Sequence, residues 1–548
     1  MSYPPSPTAE RAPAARLPVG PAFQRPIARL PTAVTAFIGR TLKGPANSAT
    51  LISNFGEFQQ RFGGLWQPAP LGYALEQFFE NGGRQAIVVR VVNGARAPSL
   101  PLRAGRGVLL LRGRSPGTRE YLRASVDYDG IGAAETDLFN LVVQRLRAPG
   151  SELIEEQEIL RRVSVLPDAA RSVARELEHS ALVRVAAPLP AQRPDRTAAN
   201  YPGGVIGYAS ANADGADGTD LTDYDVIGDE AAGTGLFALR AGPRFDLLCV
   251  PPLARERDVG VATLLLAARL CRARQALLIV DPPRAWDSGP VALAGAERWA
   301  LHSEDALMYF PRLLANDRLR GRPEAFAPGG AAAGLLARAD EASPPWSAAT
   351  GEAPILRAVL RPQLSVDEPL RTRLAQLGVN CLDTARRPPG AVPGARTLVP
   401  EHAVRGAGRY LPLRRLTLWL QACILEGTRW TLLEGGGPPL WRRAREQVTA
   451  FLADLSEAGA FVGRDHEERF FVICDQRLNQ VAGTGTGSLC LLFGFAAYRP
   501  GDFQACLVTH EPGGSRVRQV SANRLATMGP RVGEEIETAI LRQLVAEP

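Results

Sequence analysis

The sequence predicts a mixed α/β fold of α+β type. A discontinuous core domain is built from N- and C-terminal segments, with a β-rich and an α/β domain inserted and extended arms at the termini. Three observations predict it. At 548 residues the chain exceeds what one hydrophobic core supports. Residues 31–92 and 410–475 both alternate helical and strand patterns with clear punctuation. The blocks 31–92 and 350–510 each have strands with too few neighbours to close a sheet alone, so they are expected to share one. The expected partition is 1–30 as an extended arm, 31–95 and 346–510 as the two parts of the core, 96–204 as the β-rich insertion, 205–345 as the α/β insertion and 511–548 as a C-terminal extension.

Residues 1–30 are rich in Pro, Ala and Arg, and Pro18, Pro21, Pro26 and Pro31 keep them extended. Composition alone reads as a disordered tail; the other reading is an arm that orders on a neighbouring subunit. Order begins with a strand at residues 33–38, ended by Gly39. Asn54 followed by Glu57 gives a helix start, and Phe55, Phe58 and Phe62 form a stripe that packs a helix on a sheet. Leu71, Leu75, Phe78 and Phe79 repeat the pattern up to Asn81-Gly82-Gly83, and residues 87–92 follow as a buried strand.

Residues 95–200 change character. Apolar runs shorten to 108–111 and 138–143 between turns such as Asp129-Gly130, the pattern of a β-rich insertion. Helical turns are expected at 158–165 and 169–177, and a linker at 188–204. Asp214, Asp217, Asp220, Asp223 and Asp225 then crowd one Gly-rich loop. Such carboxylates can hold Ca²⁺, but the EF-hand order and its terminal Glu are missing, so a solvated turn is expected. From Phe245 the chain reads strand 246–250, helix 258–270 and strand 276–280, a βαβ unit with parallel strands. The second strand ends in Asp281-Pro282-Pro283, where an α/β enzyme keeps its chemistry, although no phosphate loop precedes it. A loop-rich bridge is expected over 321–354.

Pro412 opens a helix with Leu413, Leu416, Leu420, Cys423 and Ile424 at helical spacing, and Gly427 stops it. Residues 430–433 read as a short strand. After Gly435-Gly436-Gly437, Pro438 and Pro439 start a helix with the stripe Leu440, Ala444, Val448, Phe451, Leu452 and Leu455. Gly459 ends it, and 470–474 is an interior strand. Residues 483–487 (Gly-Thr-Gly-Thr-Gly) read as a flexible loop, 489–495 and 502–509 as strands, 511–535 as Gly- and Arg-rich chain, and 536–545 as a short amphipathic helix.

Composition narrows the function classes. No apolar run approaches the roughly 20 residues of a membrane span, and no signal-peptide core is present, so a cytoplasmic site of synthesis is expected. The seven cysteines (Cys249, Cys271, Cys381, Cys423, Cys474, Cys490 and Cys506) stand singly and read as reduced, packed thiols. The net charge of +7 is carried by arginine, with Lys43 the single lysine, and Arg and acid are interleaved, which argues against a nucleic-acid patch. The five histidines (His179, His302, His402, His466 and His510) are isolated from metal-ligand spacing. No nucleophile elbow or phosphate loop occurs. The residues therefore offer no catalytic, cofactor-binding or metal site.

Two blocks carry a resemblance. Arg414-Arg415-Leu416, residues 424–430 (Ile-Leu-Glu-Gly-Thr-Arg-Trp), Leu440-Trp441-Arg442-Arg443 and Phe451-Leu452 resemble the C-terminal domain of contractile tail sheath proteins. At the other end the matching residues are 31–40 (Pro-Thr-Ala-Val-Thr-Ala-Phe-Ile-Gly-Arg), Gly44-Pro45, 53–64 and 71–83. The chain departs from that family at Gly435-Gly436-Gly437, where members carry an acidic-polar turn. The resemblance implies a structural subunit that polymerises helically around an inner tube and contracts to drive it through a target envelope, with no enzymatic activity. It implies further copies of the chain, the inner tube protein, baseplate and tail-terminator components as partners, without nucleic acid or direct membrane insertion. Its location would be the cytoplasm during assembly and then a phage tail or contractile injection particle. The arm (residues 16–30) and the alternating strand 502–509 are expected to add strands to a neighbour's sheet edge. The alternative function is a cytoplasmic α/β enzyme with a site near Asp281.

Overall fold

The computed structural model describes residues 26–186, 188–197, 207–342, 344, 356–357, 360–382, 395–402, 407–479 and 488–520. It divides into two compact units, Pro31–Trp419 on the one hand and Met1–Leu30 with Leu420–Pro548 on the other.

The first unit is organised on a seven-stranded sheet. Its order is Val379–Cys381, Ala306–Phe310, Leu277–Val280, Leu247–Cys249, Thr35–Gly39, Ala86–Arg90 and Thr50–Ile52. All neighbours are parallel except the last, which runs antiparallel to Ala86–Arg90. These strands are near-continuous apolar runs because both faces are covered, as parallel sheets require. Alternate residues serve the two faces. Ala36, Ile38, Ile87, Val89, Leu248 and Leu278 meet the helices Val261–Ala273, Gly289–Glu297 and Glu368–Gln376. Phe37, Val88, Leu247, Cys249 and Ile279 meet the helices Phe55–Phe62, Pro70–Glu80 and Gly329–Ala342. On that second face the Phe58 and Phe62 rings stack at 5.6 Å, and Phe37 meets Phe78 edge-on at 5.3 Å. The Asn54 side chain caps the first of these helices by accepting from the Glu57 N–H, and the Glu57 carboxylate reaches back to the N–H of Ser53.

Strand pairing corrects the expected partition. The segment 205–345 is not a separate insertion, because its strands Leu247–Cys249, Leu277–Val280 and Ala306–Phe310 lie in the same sheet as Thr35–Gly39. A central parallel strand needs a neighbour on each side, and only long crossovers can supply them. The bridge expected over 321–354 holds the strand Arg322–Phe326 and the helix Gly329–Ala342. That helix begins with glycines, which lower helix propensity, yet packing demands them. A Cβ on Gly330 would lie 2.0 Å from the Ala74 carbonyl oxygen, and one on Gly334 would lie 2.4 Å from that of Phe78.

Between the strands Ala86–Arg90 and Leu247–Cys249 the chain forms two antiparallel sheets. One joins Ser99–Ala104, Gly107–Gly113 and Val183–Val185; the other runs Ala209–Ser210, Tyr121–Asp127, Leu138–Leu146, Ile154–Ser164. Leu100, Leu109, Leu111, Leu122, Phe139, Leu141, Leu160 and Val163 fill one core between them. Residues 158–165 are strand and not helix, apart from Val165 just past its end. The reason is a bulge. Leu141 faces Leu160 and Phe139 faces Val163, with Arg162 at φ +54°, so two inward residues stand three apart and mimic a helical period. The helix expected at 169–177 is a single turn, Val173–Glu176.

In the second unit the helix Pro438–Glu457 buries Leu440, Ala444, Val448, Phe451, Leu452 and Leu455, the stripe read from the sequence. An antiparallel sheet follows in the order Phe470–Ile473, Leu489–Ala496, Phe503–Glu511, Gly514–Val520. Phe471 sits opposite Gly494, whose missing Cβ makes room for the ring: a Cβ there would meet it at 2.2 Å. One expectation fails here. Residues 430–433 belong to the 3₁₀ helix Arg429–Leu433, since Thr428 and Thr431 turn their hydroxyls back on the carbonyls of Ile424 and Thr428 and keep the chain winding. The Gly- and Arg-rich stretch after residue 511 opens with the strand Gly514–Val520. The loop 483–487 and the helix expected at 536–545 lie outside the described residues.

Candidate functional site

Three places were singled out by chemistry or by exposure: the Asp-rich loop, the strand end at Asp281, and the C-terminal unit. In the loop each carboxylate has its own partner. Asp214 accepts from the N–H and hydroxyl of Ser99 at 2.8 and 2.6 Å, which lowers its pKa. Asp217 accepts in the same way from Thr118, and Asp220 pairs with Arg40 at 2.8 Å. Asp223 accepts from the N–H of Gly260 and the hydroxyl of Thr263, while Asp225 closes a capping box with Thr222. Four of the side chains thus tie the loop to residues elsewhere in the chain and Asp225 closes a local cap, while Asp214 and Asp220 stay exposed to water as expected; the five do not converge. Among the described residues no group of three His, Cys, Asp or Glu side chains is placed to hold a metal ion.

Asp281 leaves the carboxyl end of Leu277–Val280 and accepts the N–H of Gly329 at 2.7 Å, at the start of the helix Gly329–Ala342. Burial pushes its pKa up to about 7 against the pull of Arg312. A cavity of about 560 Å³ opens at this end of the sheet, lined by Tyr73, Gln77, Arg255, Arg284, Arg312 and Glu324 among others. Asp281 is not in its wall. The Tyr73 hydroxyl there is bonded to Asp317 at 3.0 Å and its pKa is pushed up to about 12, chiefly by burial, so it is no nucleophile at neutral pH. Arg255 is bound to Asp317 and Glu324. These groups are spent on one another, an arrangement that holds structure.

The C-terminal unit presents a different kind of surface. Its sheet is open, with Phe470–Ile473 and Gly514–Val520 as the outer strands among the described residues. The strand Phe503–Glu511, expected at an edge, is interior and paired on both sides. Both of its faces are covered as well: Phe503, Ala505 and Leu507 lie in one core, and Cys506, on the other face, accepts from the Gln421 amide at 3.2 Å. Beside the sheet, residues of the N-terminal arm dock on the helix Leu411–Gly427. Ile27 is buried against Gly427, where a Cβ would approach it to 2.8 Å, and the Leu30 N–H points at Cys423 Sγ at 3.5 Å. Residues 1–25 lie outside the described residues.

Sequence reasoning missed a buried histidine in this unit. His510 Nε2 lies 2.8 Å from Thr428 Oγ1 and its Nδ1 lies 2.7 Å from Ser515 Oγ. Burial and the nearby Arg429 push its pKa down to about 4. The clue in the sequence was slight: a histidine inside an apolar, alternating run. His466 meets the Phe470 ring edge-on at 4.2 Å. The seven cysteines form no disulfide, and all except the half-buried Cys381 are buried.

No family model and no curated protein matches the chain. Solved structures do match. A sheath tail protein from Listeria innocua aligns over 90% of this chain and 96% of its own, with 12% identity and a TM-score of 0.53. The sheath complex of an extracellular contractile injection system, PVC, in its contracted state aligns over 90% of this chain and 96% of its own, with 14% identity and a TM-score of 0.51. The likeness runs through almost the whole of each chain, so this protein has the fold of contractile tail sheath proteins.

Proposed function

We propose that the protein is the structural subunit of a contractile sheath. Many copies stack helically around an inner tube, and a change in their packing drives that tube through a target envelope. The observation that carries this reading is the end-to-end likeness to sheath chains, about nine-tenths of this chain and more of theirs. The partners are further copies of the chain, the inner tube protein, and baseplate and tail-terminator components. Neither nucleic acid nor membrane insertion is part of the role. Assembly takes place in the cytoplasm before the particle acts.

The mechanism needs no catalytic group. The part of the arm before Pro26 reaches a neighbouring copy, and the open edges of the C-terminal sheet, Phe470–Ile473 and Gly514–Val520, receive or donate strands. This revises the sequence-based expectation, which placed the exchanging strand at 502–509. Backbone hydrogen bonds tolerate rigid-body rotation of the domains they link, because flexible segments absorb the change in dihedral angles. A head-to-tail contact that does not close on itself builds a helical tube. The alternative enzyme near Asp281 finds less support, since that carboxyl caps a helix and stays out of the neighbouring cavity wall.

Negative-stain microscopy of the purified full-length protein tests the reading. Tubes or stacked rings are expected. Discrete particles at all concentrations and salt conditions, together with turnover of a small substrate, would overturn it.

A further inference from the structure

The cavity of about 560 Å³ at the carboxyl end of the seven-stranded sheet lies wholly within the unit Pro31–Trp419. Three neighbouring strands and one helix build it. Pro251 and Pro252 follow Leu247–Cys249, Arg284 follows Leu277–Val280, and Arg312 follows Ala306–Phe310, while Tyr73 and Gln77 come from Pro70–Glu80. Open parallel sheets take their ligands in this position, outside the carboxyl ends of the strands. Five arginines line the wall, and four of them are in contact with carboxylates. Arg255, Arg320 and Arg322 meet Glu324, and Arg284 meets Glu256. Arg312 differs. It is only 5% exposed, yet among the described residues its Nε and Nη1 have no hydrogen-bond partner. The Asp258 carboxylate stands 3.6 Å from Nη1, too far for one. Asp281, outside the wall, attracts Arg312 without a hydrogen bond to either nitrogen. Gln77, 4% exposed, lines the same cavity with its Oε1 equally unmatched. Buried polar groups without partners are costly, a charged one most of all, and here two of them border one space.

We propose that this cavity binds a small organic phosphate, whose phosphate oxygens accept from Arg312 and whose apolar body lies against Pro251, Pro252 and Phe326. Water could fill the empty hydrogen bonds of Arg312 but would leave its charge unmatched. The wall holds five arginines against the three carboxylates Glu256, Asp287 and Glu324, so it favours an anion. A guanidinium presents a fork of N–H donors that fits phosphate oxygens, and a phosphate monoester carries close to two negative charges at neutral pH. The Gln77 amide, turned either way, offers a donor to a phosphate oxygen or an acceptor to a ligand hydroxyl. The volume sets the size of the guest. It falls in the range of about 300–1,000 Å³ that small-molecule sites occupy, more than a bare phosphate fills. The apolar part of the wall, with the Phe326 ring stacked on Tyr73 at 5.0 Å, suits a ring or short carbon chain. Arg312 and Gln77 are binding groups only, and no bond is made or broken. This inference does not rest on the sheath reading, because every group in it belongs to one folded unit.

Calorimetric titration of the full-length protein with phenyl phosphate, inorganic phosphate and benzoate tests it. Phenyl phosphate should bind with submillimolar affinity, and inorganic phosphate and benzoate each roughly ten-fold more weakly. Arg312→Gln should abolish the binding in a protein whose circular dichroism spectrum is unchanged. Should that buried substitution disturb the fold, Arg284→Glu carries the test, because Arg284 lies in the wall and is half exposed. It should weaken phenyl phosphate roughly ten-fold, whereas Arg298→Glu, the same charge change at an exposed position outside the wall, should alter it by less than about two-fold. Any of four results would overturn the proposal: no binding of phenyl phosphate, unchanged binding in folded Arg312→Gln, equal loss in Arg284→Glu and Arg298→Glu, or inorganic phosphate or benzoate binding as tightly as phenyl phosphate.

Discussion

Thr428 and His510 meet inside the C-terminal unit across 2.8 Å, between Thr428 Oγ1 and His510 Nε2. The Thr428 hydroxyl donates to the Ile424 carbonyl at 2.6 Å, so the imidazole nitrogen is the donor in this pair. That assignment leaves Nδ1 to accept from the Ser515 hydroxyl at 2.7 Å and makes the buried ring neutral. One histidine thereby ties the end of the helix Leu411–Gly427 to the last hairpin of the sheet.

A pH dependence follows from that ring. Its folded-state pKa is pushed down to about 4 from 6.5, so the unfolded chain takes up the proton more readily. The stabilisation is complete above pH 6.5 and is lost as pH falls from 6.5 towards 4, by a total of about 3 kcal/mol. Urea midpoints measured across pH 4–7 should show this loss. His510→Gln should flatten the slope in that window even though it lowers stability at pH 7. Parallel curves for parent and variant would mean that the imidazole takes up its proton equally in the folded and unfolded states.

Asp281 carries the opposite sign. Its folded-state pKa is raised from 3.8 to about 7, so this group favours the fold below pH 3.8 and opposes it increasingly as pH rises through 7. Asp281→Asn keeps an oxygen for the Gly329 N–H and removes the buried charge. The variant should gain on the parent by roughly 1–3 kcal/mol between pH 5 and pH 8. Denaturant titrations at those two pH values read the difference directly. A variant that instead loses ground at pH 8 would show that Asp281 is ionised and paired with Arg312.

Gly330 tests the packing of helix Gly329–Ala342 on helix Pro70–Glu80. Because a Cβ there would lie 2.0 Å from the backbone oxygen of Ala74, Gly330→Ala should cost about 1–3 kcal/mol despite the better helix propensity of alanine. Gly435→Ala is the control, since a Cβ at Gly435 meets nothing within 4 Å, and it should change stability by less than about 0.5 kcal/mol. Equal effects at the two positions would contradict the close approach.

Removing residues 1–25 tests assembly without disturbing Ile27, which fills the space at Gly427. The truncated protein should remain folded, with an unchanged circular dichroism spectrum, and should fail to form tubes. Normal tubes from the truncated chain would relegate those residues to a tail.

What the sequence determined by itself was whatever depends on residues close along the chain. The stripe from Leu440 to Leu455, the Asn54 cap with Glu57, the strand at Thr35–Gly39 and the buried strand at Ala86–Arg90 were all legible, because a helix or strand face is a matter of spacing. The tertiary structure decided which strands meet. Thr35 pairs with Leu247 and Met308 with Val379, and no local pattern encodes partners so far apart. It also decided where local signals mislead. A bulge at Arg162 turned a strand into an apparent helix, and hydroxyls of Thr428 and Thr431 wound an apparent strand into a 3₁₀ turn. The glycines at 330 and 334 read as loop until the neighbouring helix that requires them is in view. The same limit hid His510 and the seat of Ile27, since both depend on groups brought together from opposite ends of a segment by folding. Spacing is a property of the chain, whereas pairing and close approach are properties of the packed molecule.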